Sequence, residues 1–192
     1  MAKEFSDSEK SVIREKLIAA CEEYWSKYGY KKTSIKDLVE KVNISTGAFY
    51  DFFQSKEHLF FETDRVVAQR LVEFAKSNVP PQPTKKDFAN RIKEILRYYG
   101  ERPWLLQSSD EYELFLRRLP PDMVEQYTKR EMDDYVEIAA LFDRKPKESV
   151  EKTGAAFYIL MMSYLQKEKI TTEIFDSGMD ALIDAVVNQF FY

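Results

Sequence analysis

Ser45, Thr46, Gly47 and Ala48 are four small residues in succession, two of them hydroxylic, and Tyr50 follows with a phenol. Such a run leaves the start of a helix slim and polar, a shape that fits the major groove of DNA, where hydroxyls can meet base edges. Lys27, Lys31, Lys32 and Lys36 occur upstream with no acid among them, a spacing of cations that attracts phosphates. The same lysines also suit a plain solvated surface. Catalytic chemistry has less to work with. The chain holds one His, His58, and one Cys, Cys21, and no polar cluster with the spacing of a metal site, a nucleophile or a phosphate loop, so no metal, no cofactor and no enzyme activity is expected.

The elements that must position this run are two short helices and a tight turn within Thr33 to Lys56. Ile35, Leu38, Val39 and Val42 share one helical face, with Lys36, Asp37, Glu40 and Lys41 opposite, so the first short helix has a buried side. Thr33 or Ser34 can accept from the free amides of its first turn, and Asp37 suits its positive end. Asn43 follows the last apolar position and tolerates the left-handed backbone that reverses a chain. Ile44 plugs the corner and Ser45 caps the next helix, from which Phe49 and Phe53, four apart, turn back into the core. Ser55 caps a further helix, so Lys56 stands at a helix start that favours an anion.

The ordered pattern of a capped helix, Asn43-Ile44-Ser45, Gly47, Phe49-Tyr50, Phe53 and Ser55-Lys56 resembles the DNA-binding domain of the TetR family of bacterial transcriptional regulators. The match reaches back through Leu17, Ile18, Ala20, Cys21, Trp25 and Gly29 and covers about the first third of the chain. With the resemblance, Thr33, Lys36, Tyr50 and Lys56 are the expected phosphate contacts, and Ser45, Thr46, Gly47 and Ala48 the surface facing base edges; Tyr50 suits either role. Three positions depart from the family pattern. Val39 stands where Ala is usual, Asn43 stands for Gly, and Asp51 puts a negative charge beside the DNA-facing side.

At 192 residues the chain can bury a sizeable core and suits one small domain plus one larger one. With 44% hydrophobic and 32% charged residues it is neither disordered nor membranous. The longest apolar run, Gly154 to Met162, is too short to span a bilayer, and the first ten residues lack the apolar core of a secretion signal, so a cytoplasmic protein is expected. The net charge of −4 falls outside residues 1–60, where ten basic and ten acidic side chains balance. Periodicity predicts helices throughout. The first runs from about Ser8 to Tyr28 and is stopped by Gly29; another continues from Lys56 to about Ser77, where Pro80-Pro81-Gln82-Pro83 follows as a stiff connector. Further helices are expected after Thr84, after Ser109-Asp110, from about Asp122 to Phe142, from Lys147 to Lys167 and from Thr172 to Phe190. No stretch alternates long enough to argue a strand. The expected fold is all-α: a helix-turn-helix domain over 1–55, a connecting helix over 56–79, and a larger helical domain for effector binding and dimerisation over 80–192.

The penultimate predicted helix is apolar on nearly every side and the last is rich in apolar residues, which fits either a domain core or a partner. The resemblance implies that these two helices pair with their copies in a homodimer, through Phe157, Met161, Tyr164, Leu182, Val186 and Phe190. A palindromic operator of double-stranded DNA read by one helix per half-site requires the same two-fold symmetry. Tyr99, Trp104, Tyr112, Phe115, Tyr127, Tyr135, Phe157 and Tyr158 supply the aromatic wall of a small-molecule effector pocket or, equally, an ordinary helical core. The resemblance implies a repressor released by its effector. The alternative is a coactivator or adaptor that kept the fold and works through protein contacts.

Overall fold

The computed structural model describes residues 5–102, 109–164, 167 and 172–192. Those residues form helices α1 (Asp7–Lys32), α2 (Ile35–Val42), α3 (Thr46–Phe49), α4 (Lys56–Lys76), α5 (Lys85–Gly100), α6 (Ser109–Arg118), α7 (Pro121–Leu141), α8 (Val150–Tyr164) and α9 (Thr172–Phe190). No strand occurs among the described residues, and the fold is all-α with a helix-turn-helix near its start.

Local chemistry starts and stops these helices. Ser6 and Glu9 form a reciprocal capping box on α1, and Thr84 and Asp87 do the same on α5, each satisfying amides that have no partner within the helix. Gly29 departs from expectation. It lies inside α1 as a break with φ 78° and ψ 172°, and a short helical stretch carries on to Lys32. Only glycine takes that backbone without strain.

The chain divides into two compact units, and the division differs from the three consecutive segments expected. One unit combines Met1–Ala68 with Gln107–Val124; the other combines Gln69–Leu106 with Glu125–Tyr192. α6 therefore belongs with the N-terminal helices. The cause is aromatic packing: Phe115 of α6 lies 6.2 Å from Trp25 and 5.7 Å from Tyr30, and both of those rings also meet Phe60 of α4, at 4.8 and 5.0 Å. Offset and edge-on pairs of this kind add to the burial of four large rings.

The second unit has a core drawn from α4, α5, α7, α8 and α9, with Phe88, Ile92, Leu96, Phe142, Phe157, Leu160, Ile183 and Phe191 among its buried members. Arg91 is buried at its edge and donates to the carbonyls of Phe74 (2.9 Å) and Ser77 (2.6 Å). Both carbonyls lie at the end of α4, and that of Phe74 also accepts from the Ser77 N–H and hydroxyl. Lys93 bridges α5 to Asp180 and Asp184 of α9, at 3.7 and 3.3 Å.

Candidate nucleic-acid interface

The groove-facing run is held by three local devices. Ser34 caps α2 by accepting from the Asp37 N–H at 3.2 Å. Asn43 closes α2 in the left-handed conformation, φ 62° and ψ 47°, and the Ile44 N–H donates back to the Val39 carbonyl at 3.0 Å. Ser45 then caps α3, accepting from the Ala48 N–H at 3.1 Å. Below the turn Leu38, Val39, Phe49 and Phe53 are all buried, so the short α3 is held by its underside and not by its own length.

Its outer side is open. Ser45, Thr46 and Gly47 are exposed and Ala48 is half-buried. Tyr50 is 55% exposed, with its ring edge-on to Phe49 at 5.3 Å. Lys36 is exposed on α2, as are Lys31 and Lys32 at the end of α1. The four-lysine run does not act as one set, because Lys27 pairs with Glu23 at 3.0 Å, and Lys41 reaches the same carboxylate at 3.3 Å. Hydrogen bonds from Lys27 and then Lys41 hold that carboxyl below its usual range. Asp51 is exposed beside Tyr50, a negative charge on the same surface.

Two expected phosphate contacts point inward instead. Thr33 is 1% exposed and its hydroxyl donates to the Gly29 carbonyl at 2.8 Å. The Lys56 ammonium donates to the Tyr30 carbonyl and lies 4.2 Å from the centre of the Tyr30 ring and 5.3 Å from that of Phe60. Burial pushes this ammonium below its ordinary pKa. Both close on carbonyls of the last turn of α1: Gly29, which also accepts the Thr33 N–H, and Tyr30, left open where the helix ends at Lys32.

Sequence reasoning passed over the polar cluster around Tyr30. The Tyr30 phenol donates to Glu57 Oε1 at 2.6 Å, and Arg118 of α6 reaches the phenol oxygen at 3.4 Å and Glu57 at 3.9 Å. Burial and then the bond to Glu57 push the phenol up to about 12. Burial alone would raise Glu57, but hydrogen bonds from Tyr30, its own backbone N–H and Ser55 outweigh it and hold the carboxyl low. Only an aromatic residue next to a glycine hinted at this in the sequence. Cys21 is buried, as its place on the apolar stripe implied, and desolvation lifts its thiol to about 12. His58 is a packing residue: Nδ1 accepts from the Gln54 N–H at 3.3 Å and the ring meets Phe53 edge-on at 5.6 Å. Among the described residues no group of three His, Cys, Asp or Glu is placed to hold a metal.

Those of the aromatic residues expected around an effector that are described fall in both units. Phe115 packs in the first unit. In the second, Tyr135 stacks on Phe157 at 5.3 Å, Tyr127 is buried with Arg130 over its ring, Tyr99 is half-buried against Tyr98, and Tyr158 is exposed. Trp104 and the side chain of Tyr112 lie outside the described residues. A cleft of about 40 Å³ opens between Lys93 and Arg97 of α5, Tyr164 of α8 and Asp176 and Asp180 of α9. It has room for water, far below the several hundred Å³ of an ordinary ligand pocket.

The expected dimer residues also divide. Phe157, Met161 and Tyr164 are buried in the core of their own unit, while Val186 and Phe190 pack partly against it. Leu182 is 52% exposed. Besides it, α8 and α9 leave open Tyr158, Ile159 at 64% exposed and Ile174, and Ala155, Gly178, Ala181 and Ala185 are exposed on the same two helices. A helix apolar all round gives no sign of which side its own core will take.

Residues 17–63 match the family model described as bacterial regulatory proteins, tetR family. The HTH-type transcriptional repressor AcnR of Corynebacterium diphtheriae is 30% identical over 73 residues, a stretch that spans 38% of this chain and only 38% of that relative. Two solved structures share the fold over nearly the whole length. A tetR-family transcriptional regulator structure from Mesorhizobium loti has a TM-score of 0.67 at 13% identity, covering 95% of this chain and 98% of that one. A second, from Vibrio parahaemolyticus, has a TM-score of 0.63 at 19% identity, covering 94% and 99%.

Proposed function

We propose, from the match of residues 17–63 to the family model of bacterial regulatory proteins, tetR family, that this chain is a TetR-family sequence-specific DNA-binding transcriptional regulator. The observation that carries the reading is the exposed Ser45-Thr46-Gly47 tip on a buried, doubly capped support, with Lys31, Lys32 and Lys36 exposed around it. The tip reads base edges, and the lysines with the Tyr50 phenol meet phosphates. Thr33 and Lys56 brace the support from inside.

Two copies present two tips to a palindromic operator. The open apolar face of α8 and α9, centred on Ile159 and Leu182, is the surface that a second copy would cover; exposed Gly and Ala residues let helices approach closely. The protein acts as a repressor that a small molecule releases by favouring one of two helical packings of the second unit. No described helix is long and apolar enough to cross a membrane, and the site of action is the cytoplasm.

The test is footprinting on DNA upstream of the protein's own gene, together with the mass of the free protein in solution. A protected inverted repeat and a dimer mass are expected. A monomer that protects nothing overturns the reading. An adaptor working through protein contacts is the second reading, favoured by exposed Asp51 and the net charge of −4; salt-dependent operator binding excludes it.

A further inference from the structure

We propose that Glu111 is a positioning residue for DNA binding: from α6 it clamps the break in α1 and so fixes where the following helix-turn-helix stands. The inference rests on the regulator reading above. At Gly29 the backbone leaves the helical path, so the Tyr30 N–H loses its place in the α1 ladder. That N–H donates instead to Glu111 Oε2 at 2.9 Å, across 81 positions of sequence. The contact is close. A Cβ on Gly29 would lie 2.6 Å from the same oxygen, so the carboxylate rests against the bare backbone of the break, where φ of 78° calls for glycine. Arg118, two turns further along α6, faces the phenol of the same Tyr30. One face of α6 thus holds both the main chain and the side chain of one residue. Lys31 and Lys32 come next in sequence, and Ser34, the cap of α2, stands four residues on. A change in backbone direction at Gly29 moves all of them together. The clamp therefore sets the presentation of α2 and α3 without touching DNA itself.

The test uses the full chain with Glu111→Gln and Glu111→Ala. Gln keeps an oxygen that accepts the Tyr30 N–H; Ala removes it. Two readouts are needed: amide hydrogen exchange over residues 29–34 in the free protein, and affinity for the footprinted operator. In E111A, exchange over 29–34 rises about tenfold, the scale of one lost bond to a charged acceptor, while peptides from α8 and α9 are unchanged. Operator affinity falls by about three- to tenfold. E111Q, which keeps a neutral acceptor, falls between wild type and E111A on both counts. Should E111A fold poorly, Arg118→Gln, which loosens the same Tyr30 from the side-chain end, is expected to raise exchange over the same residues. Unchanged exchange in E111A, or raised exchange with unchanged affinity, or an E111Q variant as defective as E111A, overturns the proposal. A wild-type protein that protects no DNA overturns the regulator reading instead, and the exchange readout still decides whether the clamp exists.

Discussion

Lys36 and Lys56 make opposite predictions in one experiment. Each phosphate that a protein neutralises on double-stranded DNA contributes about 0.9 to the slope of log K against log salt. Lys36 is exposed on α2; if it meets one phosphate in each subunit of a dimer, Lys36→Ala flattens the slope by about 1.8. Lys56 spends its ammonium on the Tyr30 carbonyl and the Tyr30 ring, 4.2 Å away, so Lys56→Ala leaves the slope unchanged. Its cost falls on stability. A cation over an aromatic face is worth about 0.5–2 kcal/mol and a charge-assisted bond to a carbonyl about 1.5–3 kcal/mol, both offset by the desolvation of the ammonium, for a net loss on the order of 1–2 kcal/mol. For a chain of this size that lowers Tm by several degrees, at about 2–4 °C per kcal/mol. Fluorescence anisotropy of labelled operator across a series of KCl concentrations reads the slope, and thermal melts read the second effect. Were Lys56→Ala to flatten the slope as much as Lys36→Ala, the inward placement of Lys56 would be wrong.

Other outcomes are equally specific. Asn43 holds φ 62°, so in urea titrations Asn43→Ala is expected to cost about 1 kcal/mol while Asn43→Gly costs nothing. Phe49 is fully buried under the reading tip, and Phe49→Ala should destabilise by about 3–5 kcal/mol by denaturant titration. Ile159→Glu with Leu182→Glu places charge on the open face of α8 and α9; sedimentation should show monomers that keep their helical circular dichroism, and an intact dimer would remove that face from the interface. Alkaline pH should weaken folding. The Cys21 thiol and the Tyr30 phenol are raised from 9.0 and 10.0 to about 12 in the fold, so above pH 9 the unfolded chain holds fewer protons than the native one. Stability is therefore complete below pH 9 and declines towards 12. In Cys21→Ala the part of that decline that begins at pH 9 should be missing, as measured by urea titrations from pH 8 to 11.

The reading surface was legible because short-range rules write it. Caps at Ser34, Ser45 and Thr84, the left-handed Asn43 and the inward Phe49 and Phe53 each follow from neighbours within four residues. What escaped depends on partners far away in sequence. Phe115 looked like an effector-pocket residue because nothing near it announces Trp25 and Tyr30, some ninety positions earlier. Lys56 looked like a phosphate ligand because its inward acceptor, the Tyr30 carbonyl, and the rings it lies over come from α1 and α4 packing together, 26 positions apart in sequence for the first of them. The sidedness of α8 was hidden for another reason. With Phe157, Tyr158, Ile159, Leu160 and Met161 in succession, no polar residue marks the solvent side, and the hydrophobic pattern carries no direction.

Because Phe115 completes the aromatic core around Trp25, Tyr30 and Phe60, the first unit cannot close in the order in which the ribosome makes it. Its opening helices emerge early and must wait for Gln107–Val124 while Gln69–Leu106, which belongs to the other unit, is translated. At about 5–20 residues per second the delay lasts a few seconds, during which the nascent chain shows three large rings to water and to chaperones. Translation stalled after α4 would release a sticky fragment, and a gene trimmed to the helix-turn-helix would yield inclusion bodies in place of a minimal binder.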